Sequence, residues 1–194
     1  MKIGIYGGSF NPIHFGHTGL AIYIAEHTDI DEVWLMVTPN NPLKDKDILT
    51  PEEDRYKAAC KAIAAAVKER EKQTGRRLKP IRVSDFEFTL PKPNYTARTL
   101  KALKAVYPED EFCLIIGEDN LRCFTRWRDY EYIGEHYPIY VYPRQADKES
   151  GNTSDSDRPQ AIDTTFIKEI HYLKEAPLFD ISSTRLREAQ KGSA

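Results

Sequence analysis

Two stretches constrain the fold of this chain more than any other feature. Val33-Trp34-Leu35-Met36-Val37 and Phe112-Cys113-Leu114-Ile115-Ile116 are apolar at every position. A strand with one wet face would alternate, so unbroken runs of this kind read as strands buried on both faces. Shorter strand patterns lie at Ile3–Tyr6, Ile81–Val83, Pro138–Tyr142 and Ile170–Leu173. Between them the apolar spacing is helical. Residues 16–27 carry a stripe of Leu20, Ala21, Ile24 and Ala25, and a helix to about Arg70 carries Tyr56, Cys60, Ile63 and Val67. Its start is predicted from Thr50 as N-cap, Pro51 at the first helical position and Glu53 closing a capping box. Thr96 is predicted to cap a helix bearing Leu100, Leu103 and Tyr107, and residues 183–190 read as a closing helix. Strand and helix alternate throughout. The expectation is an α/β, Rossmann-like doubly wound parallel sheet with helices on both faces, one domain over residues 1–194. The polar stretch 145–160 is expected to be a mobile surface loop.

Composition excludes several classes. The formal charge is −2 among 30% charged residues, which argues against nucleic acid as a partner. The one dense basic patch, Gly75-Arg76-Arg77-Leu78-Lys79-Pro80, is expected to be a solvated connector. Three cysteines, Cys60, Cys113 and Cys123, with no C-x-x-C pair, suggest neither a disulfide framework nor zinc and fit a reduced cytoplasmic setting. A strand from the first residues leaves no signal-peptide pattern, and no apolar run reaches membrane-spanning length.

Ligands of such sheets sit outside the carboxyl ends of the strands. The stretch Y-G-G-S-F-N-P-I-H-F-G-H, from Tyr6 to His17, falls there, between a strand and a helix. Gly7 and Gly8 are expected to allow backbone conformations closed to other residues and to bring main-chain N–H groups to a ligand. The helix start adds donors and a positive dipole end, which suits phosphate. His14 and His17 are three apart, with Gly16 between them, and both could donate to phosphate oxygens. Neither the dinucleotide pattern G-x-G-x-x-G nor the P-loop is present. His27, His136 and His171 are read as structural or surface residues.

The stretch resembles the H-x-G-H signature of the nucleotidyltransferases, and within them the bacterial nicotinate-nucleotide adenylyltransferases. Three more segments share the resemblance in the family's order: Tyr95-Thr96 through Thr99-Leu100, Gly117-Glu118-Asp119 with Trp127 following, and Ile181-Ser182-Ser183-Thr184-Arg185-Leu186-Arg187. The resemblance implies transfer of AMP from ATP to nicotinate mononucleotide, giving deamido-NAD and pyrophosphate, with magnesium accompanying ATP. It implies ATP binding by Gly7, Gly8, Ser9, Phe10, His14, His17, Lys44, Ile181, Ser182, Ser183, Thr184 and Arg187, of which His14, His17 and Arg187 would be catalytic. It implies mononucleotide binding by Asn11, Tyr95, Thr96, Gly117, Asp119, Trp127 and Arg128. Trp127 would stack on the pyridine ring, and Asp119 would lie near the ribose hydroxyls or the metal.

The chain departs from the family pattern in three places. Leu43 stands where a histidine is usual, Glu118 where a small residue is usual, and little follows Arg187. Phosphopantetheine adenylyltransferases share both end motifs but usually carry Thr at the position of His14 and lack the Trp127 segment. A nicotinamide mononucleotide or dual preference, and a nucleotide-binding regulator without catalysis, stay open as alternatives. So does assembly into a homo-oligomer.

Overall fold

The computed structural model describes residues 1–39, 49–143 and 163–178. Six strands, β1 (Lys2–Gly8), β2 (Glu32–Val37), β3 (Ile81–Ser84), β4 (Glu111–Gly117), β5 (Ile139–Tyr142) and β6 (Ile170–Tyr172), form one sheet in the order β3-β2-β1-β4-β5-β6. Every neighbouring pair is parallel. The helices are α1 (Phe15–His27), α2 (Glu52–Thr74), α3 (Thr96–Val106), α4 (Glu118–Arg122) and α5 (Tyr130–His136), with short 3-10 turns at Phe86–Thr89 and Phe124–Arg126.

The two-faced strands divide the core as their alternation requires. Ile3, Ile5, Trp34, Met36, Phe112, Leu114 and Ile116 face one layer with Leu100, Leu103 and Ile133. Val33, Leu35, Val37, Cys113 and Ile115 face the other, with Leu20, Ile24, Ala59 and Ile63. The predicted doubly wound sheet is therefore present, and both apolar runs lie in its middle, where neither face meets water. No described helix is long and apolar enough to cross a membrane.

The local differences have physical causes. The second helix starts one turn-position later than expected: Pro51 is the N-cap, and the Thr50 hydroxyl instead donates to Asn11 Oδ1 at 2.8 Å. That helix also runs past Arg70 to Thr74 and ends on Gly75, whose φ of 67° is the left-handed conformation glycine tolerates at a helix end. Tyr95, not Thr96, caps α3; Thr96 is its first residue. The basic patch is not wholly solvated, because Lys79 Nζ donates to the carbonyls of Thr28 and Ile30 at 2.6 and 2.9 Å. The strand pattern at Leu173 ends one residue earlier, at Tyr172. The predicted loop at 145–160, the closing helix at 183–190 and the departure at Leu43 lie outside the described residues, as do Lys44, Ile181, Ser182, Ser183, Thr184 and Arg187.

Candidate active site

The strand order reverses between β1 and β4: the chain builds outward from β1 through β2 to β3, then returns to lay β4 on the other side of β1. Loops leaving the two strands diverge at that point, which opens a crevice at their carboxyl ends. A cavity of about 290 Å³ lies there, floored by Ile5, Tyr6, Gly7 and Gly8 of β1, Leu114–Ile116 of β4 and Met36 of β2. Its walls include Tyr95, Thr96 and Thr99 from the start of α3, Asn120 of α4, and Arg126, Trp127 and Arg128.

Trp127 does not stand among polar neighbours as its sequence suggests. It is half-buried, with its ring 5.1 Å from Phe124, and it packs on the core layer while forming a wall of the cavity. The indole N–H makes no hydrogen bond among the described residues. Tyr95 is a second aromatic residue of the lining, flanked by the guanidinium groups of Arg128 at 5.1 Å and Arg98 at 5.7 Å from its ring centre. An aromatic cleft with main-chain donors at a helix start can hold a flat heteroaromatic ring that carries an anionic group.

The turn after β1 differs from expectation in one instructive way. Gly7 and Gly8 complete the strand, and neither takes a left-handed conformation; the residue that does is Phe10, with φ 44°. At Gly8 the matter is room instead: a Cβ there would crowd the Phe10 ring at 3.1 Å. A Cβ on Gly7 would meet nothing, so at Gly7 the lack of a side chain leaves the main chain open to the cavity it lines. The Phe10 side chain is buried, only 2% exposed, and meets Tyr6 edge-on. Only its main chain can face a ligand.

His14 and His17 flank the start of α1, with ring centres 3.7 Å apart. The His14 main-chain N–H donates to His17 Nδ1 at 3.2 Å. Nδ1 is therefore an acceptor, and the proton of the neutral ring lies on Nε2, which becomes the donor. The Phe10 ring packs edge-on against His17 at 5.0 Å and fixes its plane. The pair adjoins the cavity through Tyr6, which lines the cavity and whose ring lies 6.3 Å from that of His17.

Ser9 and Asn11 are buried, and Asn11 Oδ1 is occupied by Thr50. Gly117 ends β4, and Asp119, exposed in the first turn of α4, folds its Oδ1 back over that glycine, where a Cβ would meet it at 2.5 Å. Glu118 beside it is half-buried. Cavity and histidine pair thus adjoin at one strand edge, with Asp119 at the end of the neighbouring strand. Among the described residues no cluster of three or more His, Cys, Asp or Glu side chains could hold a metal by itself.

Two residues outside the sequence expectation belong to this region. Glu87, in the 3-10 turn after β3, is 5% exposed and lines the cavity. Its Oε1 accepts from Thr99 Oγ1 at 2.7 Å, and its carbonyl accepts from Asn94 Nδ2 at 3.1 Å. Burial pushes its carboxyl above the ordinary carboxylate range, against the opposing pull of the Thr99 and Thr38 hydroxyls. Arg55, on α2, is equally buried and binds the main chain behind the turn. A charged residue flanked by apolar ones, as in Asp85-Phe86-Glu87-Phe88, was the available signal for Glu87. Arg55 sits in an ordinary charged helix start and gave none.

The chain matches the cytidylyltransferase-like family over residues 5–189. It is 45% identical to a protein of Flavobacterium psychrophilum named "probable nicotinate-nucleotide adenylyltransferase", over 97% of this chain and 86% of that one. It is 42% identical to a protein of the same name from Flavobacterium johnsoniae, over 98% and 87%. Among solved structures it is similar to the Plasmodium falciparum nicotinic acid mononucleotide adenylyltransferase complexed with NaAD. That likeness has a TM-score of 0.70 at 21% identity and covers 96% of this chain and 82% of the other. At that identity it bears on the fold.

Proposed function

The chain belongs to the nicotinate-nucleotide adenylyltransferases of the cytidylyltransferase-like family, and from its site we infer how it transfers AMP from ATP to nicotinate mononucleotide, yielding nicotinate adenine dinucleotide and pyrophosphate. The observation that carries this reading is the junction of two unlike halves. A histidine pair at a helix start, suited to phosphates, adjoins an aromatic cleft suited to a pyridine ring.

The mononucleotide's phosphate oxygen is the nucleophile, and the α-phosphorus of ATP is the electrophile. A phosphate monoester has a second pKa near about 6 and is largely dianionic at neutral pH. No residue has to remove a proton. The protein must bring two anions together in line and disperse the charge gathering on the leaving pyrophosphate. His17 Nε2–H is the donor placed for that work, with His14 beside it and the positive end of α1 behind both. On the other side of the junction, Trp127 and Tyr95 form the slot for the ring. Thr96 and the main chain at Arg128 offer donors to its carboxylate, the Trp127 N–H being already given to the Phe124 carbonyl.

In this reading magnesium enters on the triphosphate and neutralises part of its charge. An ion of that kind takes one or two protein carboxylates and completes its shell with phosphate oxygens and water. Asp119, a single exposed carboxylate at the end of β4, fits that donor set. Lys44 and the Ile181–Arg187 segment would complete the ATP side, with Arg187 on the β and γ phosphates. Free thiols at Cys60, Cys113 and Cys123 favour the cytoplasm as its place of work.

Isotope position tests the reaction. Label in the α-phosphate of ATP is expected in the dinucleotide, and label in the β or γ position in pyrophosphate. Recovery of α-label in free AMP, with no dinucleotide formed, would contradict it.

A further inference from the structure

Arg55 is 3% exposed, yet among the described residues it forms no ion pair. Its guanidinium donates to four main-chain carbonyls: Ser9, Thr38 at 3.0 Å, Pro39 at 3.2 Å and, through Nε, Thr50 at 2.9 Å. Those carbonyls come from the turn after β1, the exit of β2 and the approach to α2. A buried cation normally requires an acid partner. Among the described residues the opposing charge that acts on it is that of Glu52, whose carboxylate is already paired with Lys92 at 2.7 Å. The neutral carbonyls engage the N–H groups of Arg55, and no described acid is bound to its charge behind the turn.

The bond to Ser9 has a geometric consequence. The Ser9–Phe10 peptide is trans, and in a planar trans peptide the carbonyl and the following N–H point in opposite directions. With the Ser9 carbonyl on the guanidinium, the Phe10 N–H is turned away from it. No carbonyl or side chain among the described residues accepts from that N–H. Phe10 also holds its left-handed φ of 44°, a conformation that persists in a bulky residue only where its surroundings impose it. Here the buried ring fixes one side and Arg55 the other.

We propose that Arg55 is the positioning residue of the phosphate site: it aims the Phe10 N–H at a phosphate of ATP and sets a positive charge behind the turn that the bound anion compensates. This rests on the reading that ATP phosphates lie over the turn after β1. Arg55 acts through the main chain and does not touch the substrate.

Calorimetry of Mg-ATP and of nicotinate mononucleotide binding, each alone, tests it on the wild type, Arg55→Lys and Arg55→Gln. Lysine keeps the charge but is a point donor that cannot span four carbonyls; glutamine loses the charge as well. The Kd for ATP is expected to rise about tenfold in the lysine variant and further in the glutamine variant, with the mononucleotide Kd within about twofold of wild type in both. A merely structural role would weaken both ligands together, in step with a lower Tm, and that result, or an unchanged ATP Kd, overturns the proposal. The Lys variant keeps the test available should Arg55→Gln fail to fold. Wild-type protein that binds no ATP would overturn the underlying reading and the proposal together. A variant that matches a wild type competent for ATP overturns the proposal alone.

Discussion

Among single residues, the proposed transfer depends most on His17. Its Nδ1 is engaged by the main chain of His14, and its plane is held by Phe10, so Nε2–H is a donor oriented before any ligand arrives. A preorganised donor acts where charge develops and has little to reorganise during reaction. His17→Ala is expected to lower kcat roughly 10²- to 10³-fold with a much smaller rise in KM for ATP. Steady-state kinetics of the variant decide the matter: a preserved kcat with only KM raised would assign His17 to ground-state binding. The meeting of the two histidines at a helix start was legible in the sequence because short motifs carry their geometry in their spacing, whereas the left-handed residue of the turn was not, since it is Phe10 and neither Gly7 nor Gly8. The tautomer was not, since it depends on which group the other ring nitrogen meets.

At the scale of elements, the 3-10 turn after β3 and α3 are joined by the Glu87–Thr99 hydrogen bond, which ties two parts of the cavity lining together behind Tyr95 and Thr96. Burial raises the pKa of Glu87 in the fold above its unfolded value, so the folded state binds the proton more tightly. Stability is then greatest while the group is protonated and declines as pH rises through the unfolded carboxyl range toward the folded value. Glu87→Gln keeps an acceptor for Thr99 and cannot ionise. Its Tm relative to wild type is expected to be higher at about pH 8 than at about pH 5. A difference independent of pH would show that Glu87 does not titrate in the fold. The turn at 86–89, α4 and α5 were missed for a common reason. They span 4, 5 and 7 residues, too short for a helical period to declare itself. The burial of Glu87 and Arg55 likewise arises from what packs over them, not from local pattern.

Across the whole molecule, strand order makes the site. Two runs apolar on both faces had to become central parallel strands, and their alternation with amphipathic helices left few topologies open. That much the residues themselves carried, and the order β3-β2-β1-β4-β5-β6 then places the turn after β1 beside the segment after β4. The sequence could not show that Trp127 is at once core and cavity wall, because the core layer it packs against is assembled from strands and helices far apart in the chain. The central claim is that one half of the crevice holds ATP phosphates and the other a pyridine ring bearing a carboxylate. Its most direct test is pyrophosphate release from Mg-ATP with nicotinate mononucleotide, nicotinamide mononucleotide or phosphopantetheine at matched concentrations. The account predicts strong preference for the nicotinate form and none for phosphopantetheine; faster release with either of the other two would contradict it.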